Sequence, residues 1–426
     1  MSQTHALSGD WTRSPSWYEK VVLGLFKQMK KGRLTLTLPH GDRLVFGDPD
    51  FDVNPSIQAS IRVLDQEFFK RCVLFGDIGF GEAYTDGLWE TDNLTQVIRW
   101  MILNRETHPA MSGSKASNSV LGILRLLNRV QHLRRDNTLS GSRRNISAHY
   151  DLSNELFETF LDKTMTYSSG DYTTGAQSLE EAQLAKLDRI AHALELRPGE
   201  HLLEIGGGWG GLAVHSAKKY GCRVTSLTVS QKQLEVMKRR IEENSLQGLV
   251  EARLQDYREV QGVYDKIVSV EMIEAVGHRH LTSFFEVAER VLKPTGLMAL
   301  QVITSADSRY DEIKRSVDWT QKHIFPGSLI PSIGALTDAA RQKSTFQMHS
   351  LFDFGTSYAR TLAAWREQFN SRLDRIRELG FDERFIRAWN YYFGYCEAAF
   401  AMRHISVAQV VYTRPNNLEI LDQGAR

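Results

Sequence analysis

Cysteine is scarce in this chain: Cys72, Cys222 and Cys396 are the only three in 426 residues, and they lie far apart. Their odd number and wide spacing exclude a disulfide framework and a zinc-ligand cluster, so a reducing cytoplasm is the expected setting. A charge excess is missing too, with 52 Lys and Arg against 51 Asp and Glu and a formal net charge of +1. Nucleic-acid binders carry a strong basic excess, so nucleic acid is not an expected partner and any basic function must be local. Nowhere do about 18 apolar residues run uninterrupted, so no bilayer-crossing helix is expected. Residues 1–15 have no apolar core, and no secretory leader is expected. Apolar residues make up 42% and charged residues 24%, which excludes a mainly disordered or collagen-like chain. The length asks for two or three domains.

What is present falls into three stretches. In residues 1–108 the apolar spacing predicts a helix over 17–29, through Val21, Val22, Leu25 and Phe26. Residues 33–46 then alternate, with Leu34, Leu36 and Leu38 on one face and His40-Gly41-Asp42 as the turn, which predicts a β-hairpin. Helices around 64–69 and 95–103 complete a small mixed α+β module with a lipid- or membrane-facing role as one reading. Residues 109–145 combine a polar linker, 111–118, with Leu121, Leu124, Leu127 and Val130 at helical spacing. Arg125, Arg129, Arg134, Arg135, Arg143 and Arg144 accompany them, with Asp136 the only acid nearby. A basic amphipathic helix of this kind docks on an anionic membrane surface or serves as a solvated interdomain strut. From 146 to 426 strands and helices alternate: strands at 201–205, 223–229, 250–254, 266–270, 297–304 and 409–413, helices at 179–196, 212–220, 232–243, 280–292, 358–379 and 383–402. That alternation predicts an α/β fold, a parallel sheet with helices on both faces.

The glycine cluster Gly206 to Gly211 follows the first of these strands. Glycines there let the chain turn sharply and bring backbone N–H groups against a ligand. Glu204 stands just before them, where a carboxylate meets a cationic amino group, and Asp256-Tyr257 follows the third strand, where an acid and an aromatic hold an adenine ring. The second strand ends in Leu227-Thr228-Val229-Ser230, without the acid a dinucleotide ribose asks for. The constellation favours S-adenosylmethionine over the alternative, a nucleotide-dependent oxidoreductase.

Several ordered strings carry a closer likeness: His149-Tyr150-Asp151-Leu152-Ser153-Asn154, Met165-Thr166-Tyr167-Ser168-Ser169, and Leu203-Glu204-Ile205-Gly206-Gly207-Gly208-Trp209-Gly210. Leu227 through Gln233, Ser269-Val270-Glu271-Met272-Ile273-Glu274, His323-Ile324-Phe325-Pro326, and Phe354-Gly355 through Tyr358 with Trp365 continue the series. In this order they resemble the cyclopropane-fatty-acyl-phospholipid synthases and mycolic acid methyltransferases, from about Ser147 to the C-terminus. The resemblance implies a Rossmann-like class I methyltransferase sheet. It implies that Tyr167, Ser168, Glu204, Gly206, Gly208, Gly210, Thr228, Gln233, Asp256 and Tyr257 hold S-adenosylmethionine. It implies an unsaturated phospholipid acyl chain as substrate and a cyclopropane product, made at the inner face of the membrane by a peripherally bound protein. A homodimer is left open. An alkene is a poor nucleophile, so water must be excluded and the π bond aligned with the sulfonium methyl. Aromatic faces stabilise the resulting cation, and Trp319, Phe325, Tyr358, Trp365, Trp389, Tyr391, Tyr392 and Phe393 supply rings, most of them read as core.

In the family a bicarbonate ion takes the proton that closes the ring. Its holders map to Glu274, Tyr358, the backbone at Ile303, Ser169 in place of a cysteine, and Gln301 in place of a histidine; Ala275 stands where a histidine usually follows the glutamate. Ser169 and the Gln301 amide still offer hydrogen bonds to an anion, but the titratable imidazole is gone. A methyl-branched unsaturated product without ring closure is therefore the first alternative. A small-metabolite methyltransferase and an inactive membrane-binding scaffold are the others.

Overall fold

The computed structural model describes residues 15–48, 57–105 and 153–420. The basic stretch 121–144 and the string His149 to Leu152 lie outside them. The first module opens with the helix Trp17–Gln28, whose N-terminus is capped by the Ser16 hydroxyl accepting from the Glu19 N–H at 3.1 Å. Strands β1 (Gly32–Thr37) and β2 (Arg43–Asp48) form the expected hairpin. Leu34, Leu36 and Leu38 are all buried, as their alternation requires. A third strand that the sequence did not announce, β3 (Gln58–Val63), runs parallel to β1, and the two-residue β4 (Trp89–Glu90) closes the order β2-β1-β3-β4. The helix expected around 64–69 begins at Glu67 and continues to Thr85 with a break at Gly76. Leu64 instead stays outside it, its N–H bonded to the Leu88 carbonyl. The helix Leu94–Leu103 lies where the spacing placed it.

The second sheet has seven strands: β5 (His201–Ile205), β6 (Arg223–Thr228), β7 (Val250–Leu254), β8 (Tyr264–Val270), β9 (Leu292–Ser305), β10 (Gln347–Asp353) and β11 (Ile405–Thr413). Their order is β10-β11-β9-β8-β5-β6-β7. Strands β5 to β9 are parallel, as expected, whereas β11 inserts antiparallel between β9 and β10. The parallel expectation thus fails at one edge of the sheet. Both faces are covered: Leu203 and Ile205 point into one cluster with Phe284 and Phe285, and Leu202 points into the other with Leu212 and Val224. Neighbouring residues on a strand face opposite ways, so a strand buried on both sides reads as a continuous apolar run.

The chain leaves β5 toward β6 on one side, and β8 returns to pair with β5 on the other. This reversal opens a crevice beyond the carboxyl ends of β5 and β8, where ligands bind in open α/β sheets. The first module packs over the helices Gly355–Ser371 and Glu383–Ala401. Arg366 donates to the Thr95 hydroxyl at 2.7 Å and pairs with Glu397 at 3.0 Å, and Thr95 donates to Glu397 at 2.9 Å. One hydrophobic cluster runs without interruption from Val22 to Val407.

Candidate active site

At the end of β5 the Gly206 and Gly207 N–H groups both donate to the Leu227 carbonyl, at 3.1 and 2.8 Å, which folds the turn back over β6. Gly206 sits at φ 88°, and a Cβ there would come within 2.8 Å of the Met272 side chain. Only glycine fits without displacing its neighbour. Gly208 (φ 53°) continues the turn, and Gly210 (φ 85°) lies behind it as the cap of the helix Gly211–Tyr220. A cleft of about 1210 Å³, open to solvent, lies over this turn and is lined by Tyr167, Ser168, Glu204, Gly206, Gly208, Thr228, Gln233, Asp256 and Tyr257. The expected cofactor residues other than Gly210 therefore meet at one surface.

Glu204 is buried, and its Oε2 accepts from the Ser226 hydroxyl at 2.5 Å. Burial pushes its carboxyl up to about 7, against the Ser226 hydrogen bond and the charge of Lys186. A cationic amino group would hold this carboxylate ionised. Thr228 Oγ1 donates to Gln233 Oε1 at 2.8 Å. Asp256 is less available than its spacing promised: Arg258 holds its two oxygens at 2.8 and 2.7 Å, so it presents an ion pair to the cleft rather than a free acid.

The residues expected to hold a bicarbonate ion also converge, but on a side chain of the protein itself. Tyr358 OH donates to Glu271 Oε2 at 2.6 Å, and the Ser169 N–H and the Gln301 Nε2 donate to Glu271 Oε1 at 2.9 and 2.8 Å. The Ser169 hydroxyl, expected to face an anion, donates instead to the Gly170 carbonyl at 2.9 Å. Gln301 is oriented from behind: Gln409 Nε2 donates to its Oε1 at 3.0 Å, which leaves its own Nε2 facing Glu271. Glu274 lies alongside, with Oε1 accepting from the Ile303 N–H at 2.5 Å and Oε2 buried without a hydrogen-bond partner among the described residues. Glu271 lines the cofactor cleft, whereas Ser169, Gln301 and Tyr358 stand around it. The cage does not fit a bicarbonate ion, because a carboxylate already uses its donors.

The electrostatics separate the two glutamates. Burial raises both, but Tyr358, Gln301, Lys186 and the Ser169 N–H all favour the Glu271 anion. Glu274 is pushed up to about 8, by burial first and by the Glu271 charge second. Lys186 is fully buried, donates to the Ser168 hydroxyl at 2.6 Å, and is lowered to about 8 by burial against the pull of Glu271, Asp162 and Glu204. Glu271, Lys186, Ser226 and Gln409 were not singled out from the sequence. Glu271 stood in a quoted string, and a second carboxylate three residues before Glu274 was the one signal that could have marked it. Of the aromatics, Trp319, Trp365, Trp389, Tyr391 and Phe393 are buried in the core, as read.

Residues 138–410 match the family model described as mycolic acid cyclopropane synthetase. This chain belongs to that family. It is 39% identical over 345 residues to a tuberculostearic acid methyltransferase of Mycobacterium tuberculosis, covering 78% of each chain. To a cyclopropane-fatty-acyl-phospholipid synthase of Escherichia coli it is 36% identical over 368 residues, 85% of this chain and 90% of the other. Among solved structures, a mycolic acid cyclopropane synthase complexed with SAH and CTAB superposes with a TM-score of 0.60 at 29% identity, over 64% of this chain and 98% of that one.

Proposed function

We propose that this protein methylates the double bond of an unsaturated acyl chain in a phospholipid and releases a cyclopropane fatty acyl product. As a family member it is an S-adenosylmethionine-dependent methyltransferase. The residues present fit that cofactor: Glu204 is a buried carboxylate with one hydroxyl partner, and at Gly208, in the cleft lining, a Cβ would stand in space that no other atom approaches within 4 Å. Glu204 meets the ammonium group, Tyr167, Ser168, Thr228 and Gln233 frame the amino-acid and ribose portions, and Asp256 and Tyr257 frame the base. When bound, the cofactor supplies an electrophilic methyl group on a sulfonium centre. The protein's own work is to exclude water, hold the alkene beside that methyl, and accept a proton afterwards.

The observation that carries this reading is the half-buried carboxylate Glu271, set in three donors and lining the cofactor cleft. A methyl acceptor that is itself a strong nucleophile has no need of such a base beside the methyl it receives. The second reading is a methyl-branched unsaturated product. It is favoured by Gln301, which offers no titratable imidazole, and by the relative named as a methyltransferase rather than a cyclopropane synthase. We further place the protein at an anionic membrane surface on the cytoplasmic side. Among the described residues no helix is long and apolar enough to cross a membrane.

Mass spectrometry of phospholipids from a host expressing this chain tests the reading. Unsaturated species should gain one CH2, and fragmentation should place a ring at the former double bond. A branch at that position would select the second reading. Unchanged phospholipids alongside a methylated soluble acyl ester would overturn the phospholipid assignment.

A further inference from the structure

We propose that the carboxylate of Glu271 is itself the proton acceptor of this reaction, a built-in base standing where the family's enzymes hold a bicarbonate ion, so that this protein works without bicarbonate. The inference rests on the methyl-transfer reading above and adds the group that completes it.

Three independent features converge on it. The first is the donor set. Tyr358, Gln301 and Ser169 come from three distant parts of the chain and place three hydrogen bonds on one carboxylate. An ion brought from solution would find these donors already engaged. The second is the backbone. Glu271 sits at φ 48°, the left-handed region that glycine enters freely and that a glutamate enters only at a cost. Its N–H is held there by the Gln301 carbonyl at 2.8 Å. Strain of this kind persists where the surrounding structure overdetermines it and clusters at reacting groups. The third is the division of protons. Three hydrogen bonds that favour an anion fall on Glu271, and the charge of Lys186 acts the same way, while Glu274 accepts from the Ile303 N–H and is raised by burial first and by the Glu271 charge second. Glu271 is thus the member of the pair whose anion the donors favour.

The chemistry balances without another reactant. The alkene π pair forms the new C–C bond to the methyl, the S–CH3 pair stays on sulfur, and the neighbouring chain carbon becomes a cation. Glu271 takes a proton either from the new methyl or from an adjacent chain carbon. The C–H electron pair left behind forms the second ring bond in the first case and a double bond in the second. Glu271 leaves the step as a neutral acid and returns its proton to water.

The test compares the wild-type chain with Glu271→Gln and Glu271→Gly in carbonate-depleted buffer, with S-adenosylmethionine and vesicles of an unsaturated phospholipid. Wild-type methylation should be unchanged within twofold when millimolar bicarbonate is added. Glu271→Gln keeps the shape of the side chain but is a far poorer base; it should be at least about 100-fold slower and gain nothing from bicarbonate. Glu271→Gly suits the local backbone and empties the cage, so it should be equally slow and recover at least tenfold with bicarbonate. Calorimetry without S-adenosylmethionine supplies a readout apart from turnover: bicarbonate should bind Glu271→Gly and not wild type. Severalfold stimulation of wild type by bicarbonate, bicarbonate binding by wild type, binding by neither protein, or a Glu271→Gln rate within tenfold of wild type would each overturn the proposal. If no variant methylates phospholipid in any buffer, the functional reading falls instead, and the calorimetric arm still decides the cage. Should Glu271→Gly fail to fold, the glutamine variant and wild-type calorimetry decide.

Discussion

Glu271 and Glu274 lie three residues apart, share one pocket and hold their protons differently. For Glu274 this becomes a measurable pH dependence. Its carboxyl, ordinarily near 4.5, is held at about 8 by burial and by the Glu271 charge. Between those values the unfolded chain gives up a proton that the folded chain keeps. The associated stability is therefore complete below about pH 4.5 and is lost as pH rises through about 8. Glu274→Gln removes that loss. Urea unfolding should show the variant gaining on wild type from about pH 5 to pH 8, with a slope approaching about 1.4 kcal/mol per pH unit. Parallel stability curves would show that Glu274 ionises normally. At the turn, Gly206→Val combines a disfavoured φ with a collision against Met272. It should lower S-adenosylmethionine affinity by at least about tenfold, with Glu204→Ala doing the same by removing the ammonium partner. Calorimetry showing unchanged affinity in both would displace the cofactor site. At this scale the glycine turn and Glu204 were legible because their chemistry is local in sequence. Glu271 was not, because its meaning depends on Ser169, Gln301 and Tyr358, which are 102, 30 and 87 residues away in the chain.

Among elements, β5 and β7 match their expected bounds, β5 as a short, mostly buried run ahead of the glycine turn and β7 by the alternation of Val250, Ala252 and Leu254 with Glu251 and Arg253. The edge strand β10 was missed, since Gln347–Asp353 is exposed or half-buried throughout and shows no apolar face. The helix Ile333–Lys343 went unread as well, burying only Leu336, Ala339 and Ala340. Periodicity is also blind to direction, so β11 was foreseen as a strand but not as antiparallel to β9. That direction has a consequence in the site. The antiparallel register sets Gln409 opposite Gln301, and its amide fixes which end of Gln301 faces Glu271. Gln409 is a positioning residue. Gln409→Leu frees the Gln301 amide to turn its oxygen toward the carboxylate. Loss of one oriented hydrogen bond should lower kcat by about 3- to 10-fold, with KM for S-adenosylmethionine unchanged. A rise in KM with kcat preserved would mark Gln409 as a support of the cofactor cleft instead.

Over the whole molecule, the first module and the methyltransferase sheet share one core. Arg387 donates to the Tyr84 and Trp89 carbonyls at 2.6 and 2.8 Å, and Lys322 and His323 meet Glu82 at 2.7 and 2.9 Å. A Cβ on Gly81 would lie 2.5 Å from the Trp319 ring. The module is therefore seated closely on the catalytic half. A net charge of +1 gives this assembly no overall attraction to an anionic bilayer, yet the substrate proposed for it is a bilayer lipid. The sequence concentrates six arginines between 125 and 144 with Asp136 as the only acid among them. A basic cluster near such a surface contributes about 1 kcal/mol per residue and fades within a Debye length. Replacing Arg125, Arg129, Arg134 and Arg135 with Gln should lower partitioning onto anionic vesicles by at least about tenfold at low salt, because four such terms are removed and screening leaves part of each. The gap should narrow in high salt as wild type loses the same attraction, and turnover on detergent-dispersed lipid should be unaffected. Equal vesicle partitioning of the two proteins at low salt would assign these arginines to the solvated strut and leave the bilayer to be met by another face.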